Sequence, residues 1–357
     1  MKALILTGGK GTRLRPITHT SAKQLIPIAN KPILFYGLET IANCGIKEIG
    51  FIVGDTKKEI IHSIGDGSKW GIKPTFIEQE APLGLAHAVK ISKDFIKEDN
   101  FIMYLGDNLL KDADVILREL LDKFNKYKPN SLILLTQVKN PEAFGVAELK
   151  QSKVVRLVEK PKNPPSNLAL VGIYIFDKNI FQAVNSIKPS WRGELEITDA
   201  IQYLIEKGFR VESHIVKGWW KDTGKLEDML EANRIILEEI ETKINGNVTI
   251  DEKTKIEGRA IIDENVRIEN SVIRGPVVIG KNSKIINSYI GPFSSIYFNV
   301  EIINSEIEHS IILENTKILN LPRIEDSLIG QNVEIVKSDK KPVAYRIMVG
   351  DSSKLEL

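Results

Sequence analysis

The chain has 357 residues, 42% hydrophobic and 27% charged, which is a soluble globular composition and a length sufficient for two domains. Its 49 lysines and arginines nearly balance 47 aspartates and glutamates, so a general nucleic-acid surface is excluded and any anionic ligand falls to a local cluster of cations. The single cysteine, Cys44, allows no internal disulfide, and the apolar run in MKALILTGG is too short for a signal peptide or membrane span; a cytoplasmic location without membrane contact is expected.

Residues 1–240 alternate short apolar runs with helical patterns. Ala3–Leu6 reads as a buried strand that leads through a glycine-rich turn to a helix at Pro32–Asn43. Ile49–Val53 is the next strand and Glu59–Ile64 the next helix. Strands at Thr75–Ile77 and Phe101–Leu105 flank a helix at Ala86–Asp94, and the helix Val115–Phe124 precedes a strand at Ser131–Leu135. This alternation predicts an α/β domain with a Rossmann-like, mostly parallel sheet covered on both faces. Ligands of such sheets bind outside the carboxyl ends of the strands. A helical connector follows at Leu226–Glu241.

From residue 244 the pattern changes. Isoleucine recurs at 244, 250, 256, 262, 268, 273, 279, 285, 290, 296, 302, 307, 312, 318, 324, 329 and 335, in steps of six with occasional fives. Asn, Ser and Gly fill many positions between. A six-residue aliphatic period fits neither a helix nor an alternating strand, and it predicts a parallel β-helix in which every third hexad stacks on the one below. The expected division is therefore 1–240, a β-helix at 244–340, and a tail at 341–357.

A glycine-rich turn after the first strand lets backbone N–H groups approach phosphate oxygens without a Cβ in the way. The dinucleotide pattern G-x-G-x-x-G aligns with Gly9 and Gly11 but meets Leu14 at its third glycine, and the Walker A pattern needs a glycine where Leu4 stands. Neither template fits. What remains is a basic turn bearing Lys10, Arg13 and Arg15, followed by Lys23 and Lys31, an anion site by electrostatics.

The segment Gly8-Gly9-Lys10-Gly11-Thr12-Arg13-Leu14-Arg15-Pro16, with Lys23-Gln24-Leu25-Ile26-Pro27 and Asn30-Lys31-Pro32, resembles the signature of sugar nucleotidyltransferases. More closely, it resembles glucose-1-phosphate thymidylyltransferases of the long type, which carry a C-terminal left-handed β-helix. Gly65–Ser68, Gly84–Ala88, Leu105–Asn108, Phe144–Glu148, Glu159–Pro161, Arg192–Asp199 and Trp220–Gly224 match in order, so the resemblance spans nearly the whole chain.

The resemblance implies that the phosphate of glucose 1-phosphate attacks the α-phosphorus of dTTP, releasing pyrophosphate and forming dTDP-glucose with Mg²⁺. Because the attacking phosphate is already anionic, no general base is required. Arg13 resembles the arginine that holds the leaving pyrophosphate, and Lys23 the lysine at the α-phosphate. Leu6, Gly8, Gly9, Gly11, Thr12, Gln79, Gly84 and Asp107 fall on the nucleotide side. The Gln79 amide, with a donor and an acceptor, suits the imide edge of thymine or uracil. Asp107 and Asp222 are the implied Mg²⁺ ligands, two carboxylates suited to a hard cation that keeps several waters. Gly145, Glu159, Lys160 and Tyr174 fall on the sugar-phosphate side. Short-form relatives carry tyrosine where this chain has Phe144, one hydroxyl contact fewer.

The five histidines show no metal-ligand spacing; His87 reads as structural, and His309 is the only one in the repeat. Three alternatives stay open: a UTP-using or broad-specificity transferase, a bifunctional enzyme whose β-helix acetylates an amino sugar, and a binding paralogue without turnover. Parallel-strand faces commonly associate side by side, so a homo-oligomer is expected.

Overall fold

The computed structural model describes residues 1–9, 11–337 and 347–356; Lys10 and the stretches 338–346 and 357, which include much of the expected tail, lie outside the described residues. Two compact units emerge. The first comprises Met1–Lys10, Ser21–Leu25 and Ile33–Asp222. The second comprises Gly11–Thr20, Ile26–Pro32 and Thr223–Leu357.

In the first unit, strand Lys2–Leu6 lies at the centre of a nine-stranded sheet. It pairs in parallel with Glu48–Val53 and with Phe101–Leu105, and Lys73–Glu78 extends the parallel side. The other side is antiparallel: Leu168–Phe176 runs against Phe101–Leu105 and against Ser131–Gln137, and the hairpin Gly145–Lys150/Lys153–Glu159 closes that edge. Strand Val211–Ile215 restores a parallel pairing with Ser131–Gln137.

The continuous apolar strands follow from burial on both faces. Ala3 and Ile5 join one core with Ile102 and Tyr104, whereas Leu4 and Leu6 join the other with Phe101 and Met103. That division is the two-residue period of a strand. Helix Ile33–Asn43 packs closely because Gly37 leaves room for the Tyr104 ring; a Cβ there would lie 2.6 Å from a ring carbon. A separate two-stranded ladder, Asn108–Leu110 against Trp220–Asp222, stands next to the end of Phe101–Leu105 in the chain and carries the candidate residue Asp222.

In the second unit, three parallel sheets form the left-handed β-helix. Ile268 pairs with Ile285, Ile285 with Ile302, and Ile302 with Ile318, so each hexad repeat stacks one turn of the coil on the next. These side chains are fully buried, each such burial stabilising by roughly 1.5–3 kcal/mol. Ile244 and Ile250 are exposed because the first coil is an end coil.

The asparagines between the isoleucines have a backbone reason. Asn265, Asn282, Asn299, Asn315 and Asn332 all have φ between 56° and 59°. Asparagine tolerates this left-handed region, and successive side-chain amides bond along the corner at 3.1–3.2 Å. Helix Leu226–Leu237 is shorter than the expected connector and docks through buried Asn233. Its amide oxygen accepts from Ala29 N at 2.9 Å and Ser295 Oγ at 2.7 Å, and its nitrogen donates to Phe293 O at 2.9 Å. Asn30 donates to Ile296 O at 2.6 Å, which ties the Ile26–Pro32 loop to the same coil.

Candidate active site

The central feature of the first unit is an ion pair between Lys23 and Asp107, both largely buried. Lys23 stands on the short turn Lys23–Leu25, and Asp107 follows strand Phe101–Leu105. Gly106 makes the intervening step possible: its N–H donates to Leu6 O at 3.0 Å, and a Cβ there would lie 2.9 Å from the same oxygen. Burial pushes the Asp107 carboxyl up, but the Lys23 ammonium and the Asn108 amide, at 3.0 Å, bring it below its ordinary value.

Asn108 is a buried junction that sequence reasoning missed. Its Oδ1 accepts from Trp220 Nε1 at 2.7 Å and from Gly172 N at 3.2 Å. Across the ladder, Asp222 is the register partner of Asn108. Asp107 and Asp222, far apart in sequence, are thereby brought to adjoining positions. Asp222 ends the strand Trp220–Asp222.

Among the candidates for the nucleotide, Leu6 is buried at the end of the first strand, and Gly8 and Gly9 follow it. Gly54 keeps the turn open, since a Cβ there would meet Gly8 O at 3.3 Å. Gln79 follows the strand Lys73–Glu78 beside this turn, its Oε1 3.5 Å from where a Gly8 Cβ would stand. Gln24 was not singled out from sequence although it adjoins Lys23. It is 2% exposed, its Oε1 has no partner among the described residues, and its Nε2 lies 3.6 Å from the Cβ position of Gly9. A buried polar atom left in this way is costly unless a ligand or water completes it.

The sugar-side candidates share one hairpin end. Gly145 is the register partner of Glu159, and Lys160 N donates to Phe144 O at 3.0 Å. A Cβ on Gly145 would strike Thr198 Cγ2 at 2.7 Å and Glu159 Oε2 at 3.0 Å, so glycine is required there. Glu159 accepts from Thr198 Oγ1 at 3.2 Å and lies 3.7 Å from Arg192 Nη1. Burial and the neighbouring Glu196 raise its pKa, against the opposing pull of Lys160, Thr198 and Arg192. Arg192 also pairs with Glu194 at 2.8 Å and Glu196 at 3.3 Å. Tyr174 is buried, its ring stacked on Phe176, so its hydroxyl faces the interior near Glu159. Phe144 packs edge-on against Trp220 with centroids 5.3 Å apart.

The two sides are interlocked. Leu195 N donates to Leu83 O at 2.8 Å, and Ala86 N donates to Leu195 O at 3.0 Å. Gly84 sits between them with φ 100°, where a Cβ would lie 2.4 Å from Leu195 O. The loop bearing Arg192, Glu194 and Glu196 therefore also fixes the segment after Gln79.

Gly11, Thr12 and Arg13 belong to the second unit. Gly11 has φ 60° and opens the turn Thr12–Leu14, which exposes Arg13; Thr18 Oγ1 donates to Gly11 O at 2.7 Å. His309, also in the second unit, pairs through Nδ1 with Asp326. No group of three or more His, Cys, Asp or Glu residues suited to a metal occurs among the described residues. No helix among them is long and apolar enough to cross a membrane.

Comparison with known proteins adds an independent line. A family model described as nucleotidyl transferase matches residues 2–239. A glucose-1-phosphate thymidylyltransferase from Streptomyces antibioticus is 52% identical over 100% of this chain and 99% of its own length. One of the same name from Streptomyces griseus is 49% identical, again over 100% and 99%. The crystal structure of a UDP-glucose pyrophosphorylase complexed with UDP-glucose superposes with a TM-score of 0.60 at 26% identity, covering 67% of this chain and 99% of that one.

Proposed function

Because this chain belongs to the nucleotidyl transferase family, we propose that it transfers a thymidylyl group from dTTP to glucose 1-phosphate, releasing pyrophosphate and forming dTDP-glucose. The observation that carries the reading is the Lys23–Asp107 ion pair at the start of a ladder that sets Asp222 across from Asn108, together with full-length similarity to relatives that bear this name.

A phosphate oxygen of the sugar phosphate forms the new bond to the α-phosphorus, and the α–β P–O bond breaks as pyrophosphate leaves. Lys23 neutralises charge at the α-phosphate, and Arg13 holds the departing pyrophosphate. The backbone of Leu6, Gly8 and Gly9 cradles the triphosphate. Gln79 and Gly84 receive the base. Lys160 binds the sugar phosphate, and Glu159 accepts hydrogen bonds from sugar hydroxyls with Gly145 leaving room and Tyr174 behind it. Asp107 and Asp222 fit Mg²⁺: two hard oxygen donors at adjoining positions leave the remaining coordination to water and phosphate oxygens. Bound there, the ion would neutralise charge on the triphosphate.

The enzyme acts in the cytoplasm as a homo-oligomer on this reading, with no membrane or nucleic-acid partner. The test crosses each nucleoside triphosphate with several sugar 1-phosphates, with and without Mg²⁺, and follows pyrophosphate. Turnover of dTTP with glucose 1-phosphate above other pairs is expected. No turnover with any pair refutes catalysis, and a preference for UTP beyond about tenfold, roughly the worth of one methyl contact, refutes the thymidylyl assignment alone.

A further inference from the structure

We propose that His87 is a positioning residue that sets base preference, by fixing which end of the Gln79 amide the nucleotide meets. The inference rests on the reading of Gln79 as the base-facing side chain.

Gln79 Nε2 lies 3.2 Å from Gly84 O and 3.0 Å from His87 Nδ1. A carbonyl oxygen only accepts, so the group beside Gly84 is the NH₂ and not the amide oxygen, which resolves the usual ambiguity of a glutamine. The second amide hydrogen then points at His87 Nδ1. That nitrogen must offer a lone pair, so the imidazole is neutral with its proton on Nε2. Burial, with a smaller contribution from the Lys90 ammonium, holds the His87 pKa below its ordinary value, consistent with the neutral ring.

Both donors of Gln79 are thus committed within the protein. Its Oε1 has no hydrogen-bond partner among the described residues and stands beside Gly8 of the glycine-rich turn. Gln79 consequently presents an acceptor alone. The sequence by itself left donor and acceptor both available; the neighbours remove the donor. A ring N–H, as at N3 of thymine or uracil, donates to such an oxygen. The N3 lone pair of cytosine, placed in the same pose, opposes it. His87 matters because the Gly84 bond is long, and with that bond alone the amide turns over more readily.

The test has a spectroscopic arm and a kinetic arm, both on the full-length chain. In ¹⁵N-histidine-labelled protein at neutral pH, with His87 assigned by its loss in His87→Leu, the Nε2–H tautomer is expected; the Nδ1–H tautomer overturns the proposal. In the kinetic arm, kcat/KM is compared for dTTP and dCTP. His87→Leu should lower the dTTP:dCTP ratio by about tenfold, mainly through KM for the nucleotide, as expected when one oriented hydrogen bond is freed. His87→Asn, whose side-chain oxygen can take the place of Nδ1, should recover most of the ratio. An unchanged ratio in His87→Leu overturns the proposal. If the unsubstituted enzyme turns over no nucleoside triphosphate, the functional reading falls, while the tautomer measurement still decides the His87–Gln79 arrangement.

Discussion

Asp222 stands directly across a two-stranded ladder from Asn108, the residue that follows Asp107. The Asn108 side chain is itself fixed by Trp220 Nε1 and Gly172 N, so both carboxylates hang from a rigid, buried frame. Two acidic groups at adjoining positions repel unless positive charge stands between them, and the Lys23 ammonium beside Asp107 is one such charge.

Asp222→Asn should therefore raise the Mg²⁺ concentration for half-maximal rate by about tenfold or more and lower kcat, with KM for glucose 1-phosphate little changed. A Mg²⁺ titration of pyrophosphate release checks this. An unaltered metal response would refute the role of Asp222.

The Lys23–Asp107 pair should also show in stability. Asp107 is held below its ordinary value of 3.8, so its contribution is present above that pH and is lost as pH falls through the lower, folded-state value. Lys23→Met leaves the Asp107 carboxylate buried with one charge partner fewer, at an expected cost of about 3–5 kcal/mol near neutral pH. The difference between the two proteins should shrink on acidification below about pH 4, as the Asp107 charge is removed. Urea unfolding at a series of pH values measures both quantities. A gap that does not narrow in acid would show that charge is not what Lys23 supplies.

Glu159 shifts the other way, raised above its ordinary 4.5 by burial and by Glu196. It thus protonates at a higher pH than an exposed glutamate, and KM for the sugar phosphate should rise as pH falls into that range. Arg192 opposes the shift from 3.7 Å. Arg192→Ala should raise KM for glucose 1-phosphate by about three- to tenfold and move the inflection to higher pH, with a smaller effect on KM for dTTP. Taking the profile as a ratio of variant to parent cancels titration of the substrate itself. A ratio that stays flat with pH would refute the electrostatic role.

Much of this protein was legible along the chain. The isoleucine period announces a β-helix because each coil buries one aliphatic per hexad, a local rule repeated many times. The strand Lys2–Leu6 and its glycine-rich turn were equally plain, since an apolar run ending in Gly8-Gly9 has few alternatives. The antiparallel half of the sheet was not foreseen: strand Leu168–Phe176 crosses back between neighbours distant in sequence, and apolar content carries no direction.

The sequence by itself determined the motifs, the two kinds of architecture and the family that the order of those motifs implies, because these depend on residue type and spacing. Only the tertiary structure decided that Asp222 lies beside Asp107, that Gly84 is locked to Leu195, and that Gln24 and Asn108 are buried. It alone decided which face of Gln79 is spent. A side chain's partners depend on atoms brought within about 3 Å by long-range packing, and hydrogen-bond direction is a property of the pair and not of either residue.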